Sequence, residues 1–86
     1  MSKPNNYGGA PVTATTSGVE LTAQNTQRNA LILFNQGPET ILVYFDTATN
    51  YFEIEANKGV HFPVTPLNQV NAKTTSGTAT VSVLEA

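Results

Sequence analysis

Cysteine and tryptophan are both missing from this chain. Without cysteine there is no disulfide and no thiolate metal site, so a small fold must hold together by packing alone, and redox chemistry does not mark its compartment. Charge is scarce too. Asp, Glu, Lys and Arg make up 12% of the 86 residues, roughly half of the ~25% usual in soluble domains. The four basic residues, Lys3, Arg28, Lys58 and Lys73, are scattered and the net charge is -2, so no electrostatic footprint for nucleic acid is present. No apolar run approaches the ~20 residues of a membrane span. The opening MSKPNNYGG also lacks the apolar segment of a secretory leader. A soluble, leaderless chain with neither nucleic acid nor membrane as partner is expected.

Catalytic groups are sparse in the same way. His61 is the only histidine, so a multi-histidine metal site is ruled out, and its place beside Phe62 and Pro63 reads as a solvent-facing or interface position. Glu53 and Glu55 lie two apart on a strand and share a face, where they could hold a cation or act as an acid/base pair; solvated strand charges are far commoner. Asp46-Thr47-Ala48-Thr49-Asn50 offers calcium-type oxygen ligands but only one carboxylate. The glycines match no phosphate-binding fingerprint. The expectation is a non-enzymatic protein with no cofactor and no metal.

What the chain does have is strand chemistry. At this length there is room for one domain with a modest core, and its surface must be built from Thr, Asn, Gln and Ser. Solubility normally leans on charge, so this composition suits a domain held in a complex. Residues 1–16, with two prolines, a Gly-Gly pair and Tyr7 as the only large side chain, read as an extended arm. Such a segment orders only when something else supplies apolar contact; a neighbouring subunit could do so, with Tyr7 or Val12 as anchor.

Residues 17–86 read as the folded domain. Val19, Leu21 and Ala23 alternate with polar neighbours. So do Phe52, Ile54 and Ala56, and Ala79, Val81 and Val83, as in half-buried strands. Val60, Phe62 and Val64 continue an apolar face after the Asn57-Lys58-Gly59 turn, while Pro63 and Pro66 put that strand at an edge or its end. Val70 and Ala72 face inward. No helical spacing persists and strand-favouring residues dominate. The predicted fold is all-β, an antiparallel β-sandwich or small barrel of about seven short strands, immunoglobulin-like or jelly-roll in layout.

Two stretches break the alternation. Ala30 to Phe34 and Ile41 to Phe45 are continuous apolar runs around Asn35-Gln36-Gly37-Pro38-Glu39, a connection that suggests an antiparallel hairpin. Leu31, Leu33, Ile41, Val43 and Phe45 would line one side of that ribbon, and Ile32, Phe34, Leu42 and Tyr44 the other. One side packs on the opposing sheet. The other would be a large apolar patch, at roughly 1.5 to 3 kcal/mol per uncovered side chain, and a homo-oligomer is the expected way to cover it. Among the aromatics, Tyr44 and Tyr51 are the two left free to stack on a sugar.

Arg28-Asn-Ala-Leu-Ile-Leu-Phe-Asn35, Ile41-Leu-Val-Tyr-Phe-Asp46, Gly59-Val-His-Phe-Pro63, Val70-Asn-Ala and Ser76-Gly-Thr-Ala-Thr-Val-Ser-Val-Leu-Glu85 together resemble the small all-β virion proteins of tailed bacteriophages. The likeness spans about Val19 to Ala86, and Asn57-Lys58-Gly59 stands where such chains often carry a Pro-Gly turn. It implies a virion protein assembled in the host cytoplasm and present in many copies. As capsid decoration or cement, its partners would be the major capsid protein or other virion proteins. A tail or fibre component that binds a host-surface glycan is the alternative, and a free-standing bacterial binding module a third.

Overall fold

The computed structural model describes residues 11–47 and 50–86, and among them it contains eight strands and no helix. These are β1 (Val12–Ala14), β2 (Val19–Thr22), β3 (Leu31–Pro38), β4 (Ile41–Phe45), β5 (Phe52–Ile54), β6 (Lys58–His61), β7 (Val70–Lys73) and β8 (Ala79–Glu85). They form two four-stranded sheets in the orders β1-β8-β3-β6 and β2-β7-β4-β5, with every pairing antiparallel. The first strand therefore pairs with the last, the second with the seventh, the third with the sixth and the fourth with the fifth. Only the β4–β5 connection stays within one sheet; every other connection passes between the layers.

The core lies between the sheets because each strand turns one set of alternate side chains inward. Ala14, Leu31, Leu33, Ala79, Val81 and Val83 come from the first sheet. Leu21, Ile41, Val43, Ile54, Val70 and Ala72 come from the second. Phe45, Phe52 and Phe62 close one side of this core, with ring centroids 5.6 to 6.1 Å apart in tilted and edge-on contacts.

Three expectations are corrected here. The two central runs do not form a hairpin: β3 pairs with β6 and β8, and β4 with β5 and β7. The physical reason lies at Asn35. Its fully buried side chain donates from Nδ2 to the carbonyls of Glu39 and Ile54, each at 2.8 Å, and accepts from the Gly37 N–H at 2.8 Å. Gly37 takes the left-handed conformation (φ 86°) where the pairing with β8 shifts register, and the Gly37–Pro38 peptide is cis. Only glycine adopts such a φ without strain. From the end of β3 the chain passes through Glu39 and Thr40 into the opposite layer.

The second correction concerns the domain boundary at residue 16. Val12–Ala14 pairs with Val81, Thr80 and Ala79, and Ala14 is fully buried, so this part of the expected arm belongs to the first sheet. Tyr7 lies outside the described residues. The third is Val64. It is 84% exposed, because β6 ends at His61 and the chain after Phe62 is a loop.

Arg28 holds the two long loops. Its buried guanidinium donates from Nε to Glu85 Oε2 at 2.9 Å, from Nη1 to the carbonyls of Pro66 and Asn68, and from Nη2 to the Ala23 carbonyl at 2.7 Å. Thr22 Oγ1 donates to the other Glu85 oxygen at 2.9 Å.

Replacing Asn35 with Ala strands two carbonyls and one N–H inside the fold. At about 1–3 kcal/mol per orphaned group, urea unfolding should show a loss of at least about 3 kcal/mol. Gln36→Ala, one residue on with an exposed side chain, should stay within about 0.5 kcal/mol. Matching losses in the two variants would remove Asn35 from this role.

Candidate functional site

With the two apolar runs in different sheets, their outward residues lie on opposite surfaces of the molecule. Leu42 and Tyr44 belong to the outer face of the second sheet. There Leu42 stands opposite Lys73 on one side and Glu53 on the other, and Tyr44 stands opposite Asn71. Both are half-buried. Tyr51 meets Tyr44 edge to face at 5.4 Å between centroids and 86° between planes, and Lys73 Nζ sits 4.5 Å from the Tyr51 ring centroid. These tyrosines do come together, but at right angles, unlike the flat platform on which a sugar ring stacks. The Tyr44 hydroxyl reaches back to Gly18 (φ 89°), where an added Cβ would lie 2.6 Å from it.

Ile32 and Phe34 belong to the outer face of the first sheet. Cross-strand register groups Ile32 with His61 and Leu84, Phe34 with Gly59 and Ser82, and Thr13 with Thr80. None of these is a carboxylate, a lysine or an arginine, whereas the other face carries Glu20, Glu53 and Lys73. Ile32 is 38% exposed and Phe34 41% exposed. The Phe34 ring lies across Gly59, where a Cβ would be 3.0 Å from Cδ2; an aromatic side chain of this kind covers a glycine on an edge strand. Beside it Ala30, Ile32, Leu84, Glu85 and Ala86 line an almost wholly apolar dimple of about 60 Å³.

These exposures set a magnitude. Each side chain is already more than half covered, so shielding the rest contributes roughly 1 kcal/mol apiece. That is far below the expected cost of one unbroken patch. The surface is an apolar face that the folded chain tolerates.

The remaining candidates stand apart. Val12 is half-buried and packs against the chain's own core through β1. His61 is exposed opposite Ile32. Glu53 and Glu55 are both exposed. Asp46, at φ 52°, accepts from Asn68 Nδ2 at 2.7 Å and from the Gln69 N–H at 3.2 Å, so its carboxylate caps the approach to β7. Among the described residues, no group of three or more His, Asp or Glu is placed to hold a metal ion. The dimple escaped the sequence reading because its lining comes from the two ends of distant strands. The prolines at 63 and 66 pointed to the end of the strand, but the exposure of Val64 did not follow from the apolar spacing.

No family model, curated protein or solved structure matches this chain.

Phe34 and Leu33 are adjacent residues on opposite faces of β3, and the fold assigns them unequal weights. Leu33→Ala should lose about 2–5 kcal/mol in chemical denaturation, and Phe34→Lys, whose alkyl stem still covers Gly59, no more than about 1 kcal/mol. A loss at Phe34 as large as that at Leu33 would mean the outer face is a second core.

Proposed function

We propose that this chain is a non-enzymatic structural subunit of a virion, a decoration or cement protein that stabilises a tailed-bacteriophage capsid by binding across neighbouring shell subunits, and that its sandwich is a jelly roll. The observation that carries the functional reading is the outer face of the first sheet, which among the described residues presents no carboxylate, lysine or arginine and is centred on Ile32 and Phe34. Such a face joins another surface without stripping water from charges, which is the costly step in burying ions. The strand orders β1-β8-β3-β6 and β2-β7-β4-β5 support the jelly-roll reading. Eight strands in two sheets, with first paired to last and the turn of the ribbon at β4–β5, favour a jelly-roll winding over the seven-strand immunoglobulin one. Fold alone does not fix function, so the weight stays on the face and on the resemblance to virion proteins.

The mechanism is mass action. A subunit that binds only the assembled shell stabilises the shell, and many weak contacts of roughly 1 kcal/mol each add up over many copies. An anchor role for Tyr7 belongs to this reading too. With β1 in the sheet, that role falls to the residues before Val12.

Particles purified from the source of this chain should contain it at high copy number and should burst at a lower temperature when it is absent. Added back, the wild-type protein restores the burst temperature. Phe34→Lys, folded normally by its melting curve, does not. Absence of the chain from particles overturns the reading, and so does full restoration by Phe34→Lys. A glycan-array response that disappears with Tyr51→Ala moves the protein to the tail-fibre alternative.

A further inference from the structure

The strand β1 is joined to the rest of the fold in a separable way. It is three residues long, lies at the edge of the first sheet and, among the described residues, has β8 as its one sheet partner. Its register sets Val12 against Val81, Thr13 against Thr80 and Ala14 against Ala79, and Ala14 fills a fully buried seat in the core. Residues 15–18 then carry the chain across to β2 in the other sheet. This corner is lightly held. Thr16 and Ser17 are exposed, and the Gly18 N–H donates at 3.2 Å to the Thr15 carbonyl, which also accepts from the Thr74 N–H at 3.0 Å.

The bend depends on its glycine. Gly18 sits at φ 89°, in the left-handed region, and an added Cβ would lie 2.6 Å from the Tyr44 hydroxyl oxygen. Glycine takes extended angles as readily as positive ones, so the four residues that bend here can also straighten. Extended, they span at most about 14 Å, enough to carry β1 off its own sheet and onto that of a copy lying alongside. The seat that receives it there is already known to fit. An edge of β8 that accepts Val12–Ala14 in register, with Ala14 sealed in the core, accepts the same three residues from either copy on equal terms.

We propose that two copies of this chain exchange β1, each laying its Val12–Ala14 on β8 of the other. Every contact of the strand is kept in the exchange and only residues 15–18 change course, which is why trading an identical element is a low-cost route to a dimer. The short hinge holds the two bodies side by side. Once one strand has crossed, the second crosses at high effective concentration, and the pair closes with twofold symmetry. The inference deepens the reading of this chain as an assembling subunit, and rests on that reading for its setting in a shell. The joint itself uses the β8 edge and the Gly18 hinge, not Phe34.

The absence of cysteine makes the test clean. Thr13→Cys and Thr80→Cys, made in separate full-length chains, place one thiol each on directly opposed residues of β1 and β8, a spacing that a disulfide spans. Mixed in equal amounts at roughly 1 mM in a glutathione redox buffer, the two variants can join positions 13 and 80 only between chains. Peptide mass spectrometry should find that disulfide at least about tenfold more often than the 13-to-13 and 80-to-80 pairs, since exchange holds only the first pair in place. Gly18→Val puts a β-branched side chain where the bend needs a positive φ. In sedimentation equilibrium it should shift the chain toward dimer at least about tenfold, with circular dichroism unchanged. A mixture in which the 13-to-80 disulfide is no commoner than the other two overturns the proposal, whatever Gly18→Val does to folding. So does a Gly18→Val chain that stays folded and monomeric at roughly 1 mM. Both measurements use purified protein without particles, so a failed exchange is distinguishable from a failed shell contact, which Phe34→Lys reads.

Discussion

A buried guanidinium is tolerated only when its N–H groups find acceptors, since an unpaired ion inside a protein costs several kcal/mol. Arg28 meets that condition with acceptors from three separate parts of the chain: Ala23 just before it, Pro66 and Asn68 in the β6–β7 loop, and Glu85 at the end of β8. Those loops have no regular hydrogen bonding of their own over most of their length. Two connections that would otherwise be loose are thereby fixed to the sheet end where the apolar dimple and Val64 are found. Lysine could not substitute, because a single ammonium cannot reach acceptors arranged around a plane.

Much of the strand content was legible in the residues, for a simple reason. Where one face of a strand meets the core and the other meets water, the alternation is written in polarity, as in Phe52–Ile54 and Ala79–Glu85. The inward and outward sets of the central runs were separable on the same basis: Leu31, Leu33, Ile41 and Val43 are all fully buried. Their partners were not legible. β3 alternates perfectly between buried and exposed in space, yet Ile32 and Phe34 are apolar, so polarity could not reveal it. The path of the chain was hidden for a different reason. Asn35 in a sequence reads as turn chemistry, and only the Ile54 carbonyl nineteen residues away makes it a buried staple between the layers. β1 was hidden by composition, since a three-residue strand among prolines and glycines has no pattern to read.

The two outer faces differ in kind. On the second sheet, Glu20, Glu53 and Lys73 surround Leu42 and Tyr44, and side chains of that sheet cover one another through Tyr51 and the Lys73 ammonium. On the outer face of the first sheet, among the described residues, no carboxylate, lysine or arginine intervenes, and the Phe34 ring leans on Gly59. A protein with so few charges has placed most of them away from one surface. This asymmetry, more than the number of exposed carbons, gives the molecule a front and a back.

The position of β8 carries a further consequence. The strand made last lies between the strands made first and third, and each of those has β8 as a hydrogen-bonded neighbour. During synthesis β1 and β3 therefore leave the ribosome long before their shared partner exists, with open backbone edges and Leu31, Leu33 and Ala14 lacking half their cover. Closure of that sheet waits on contacts between distant parts of the chain, which form slowly. Until it closes, the nascent polypeptide offers strand edges to any neighbour on the same message, the usual route by which crowded translation turns into aggregation.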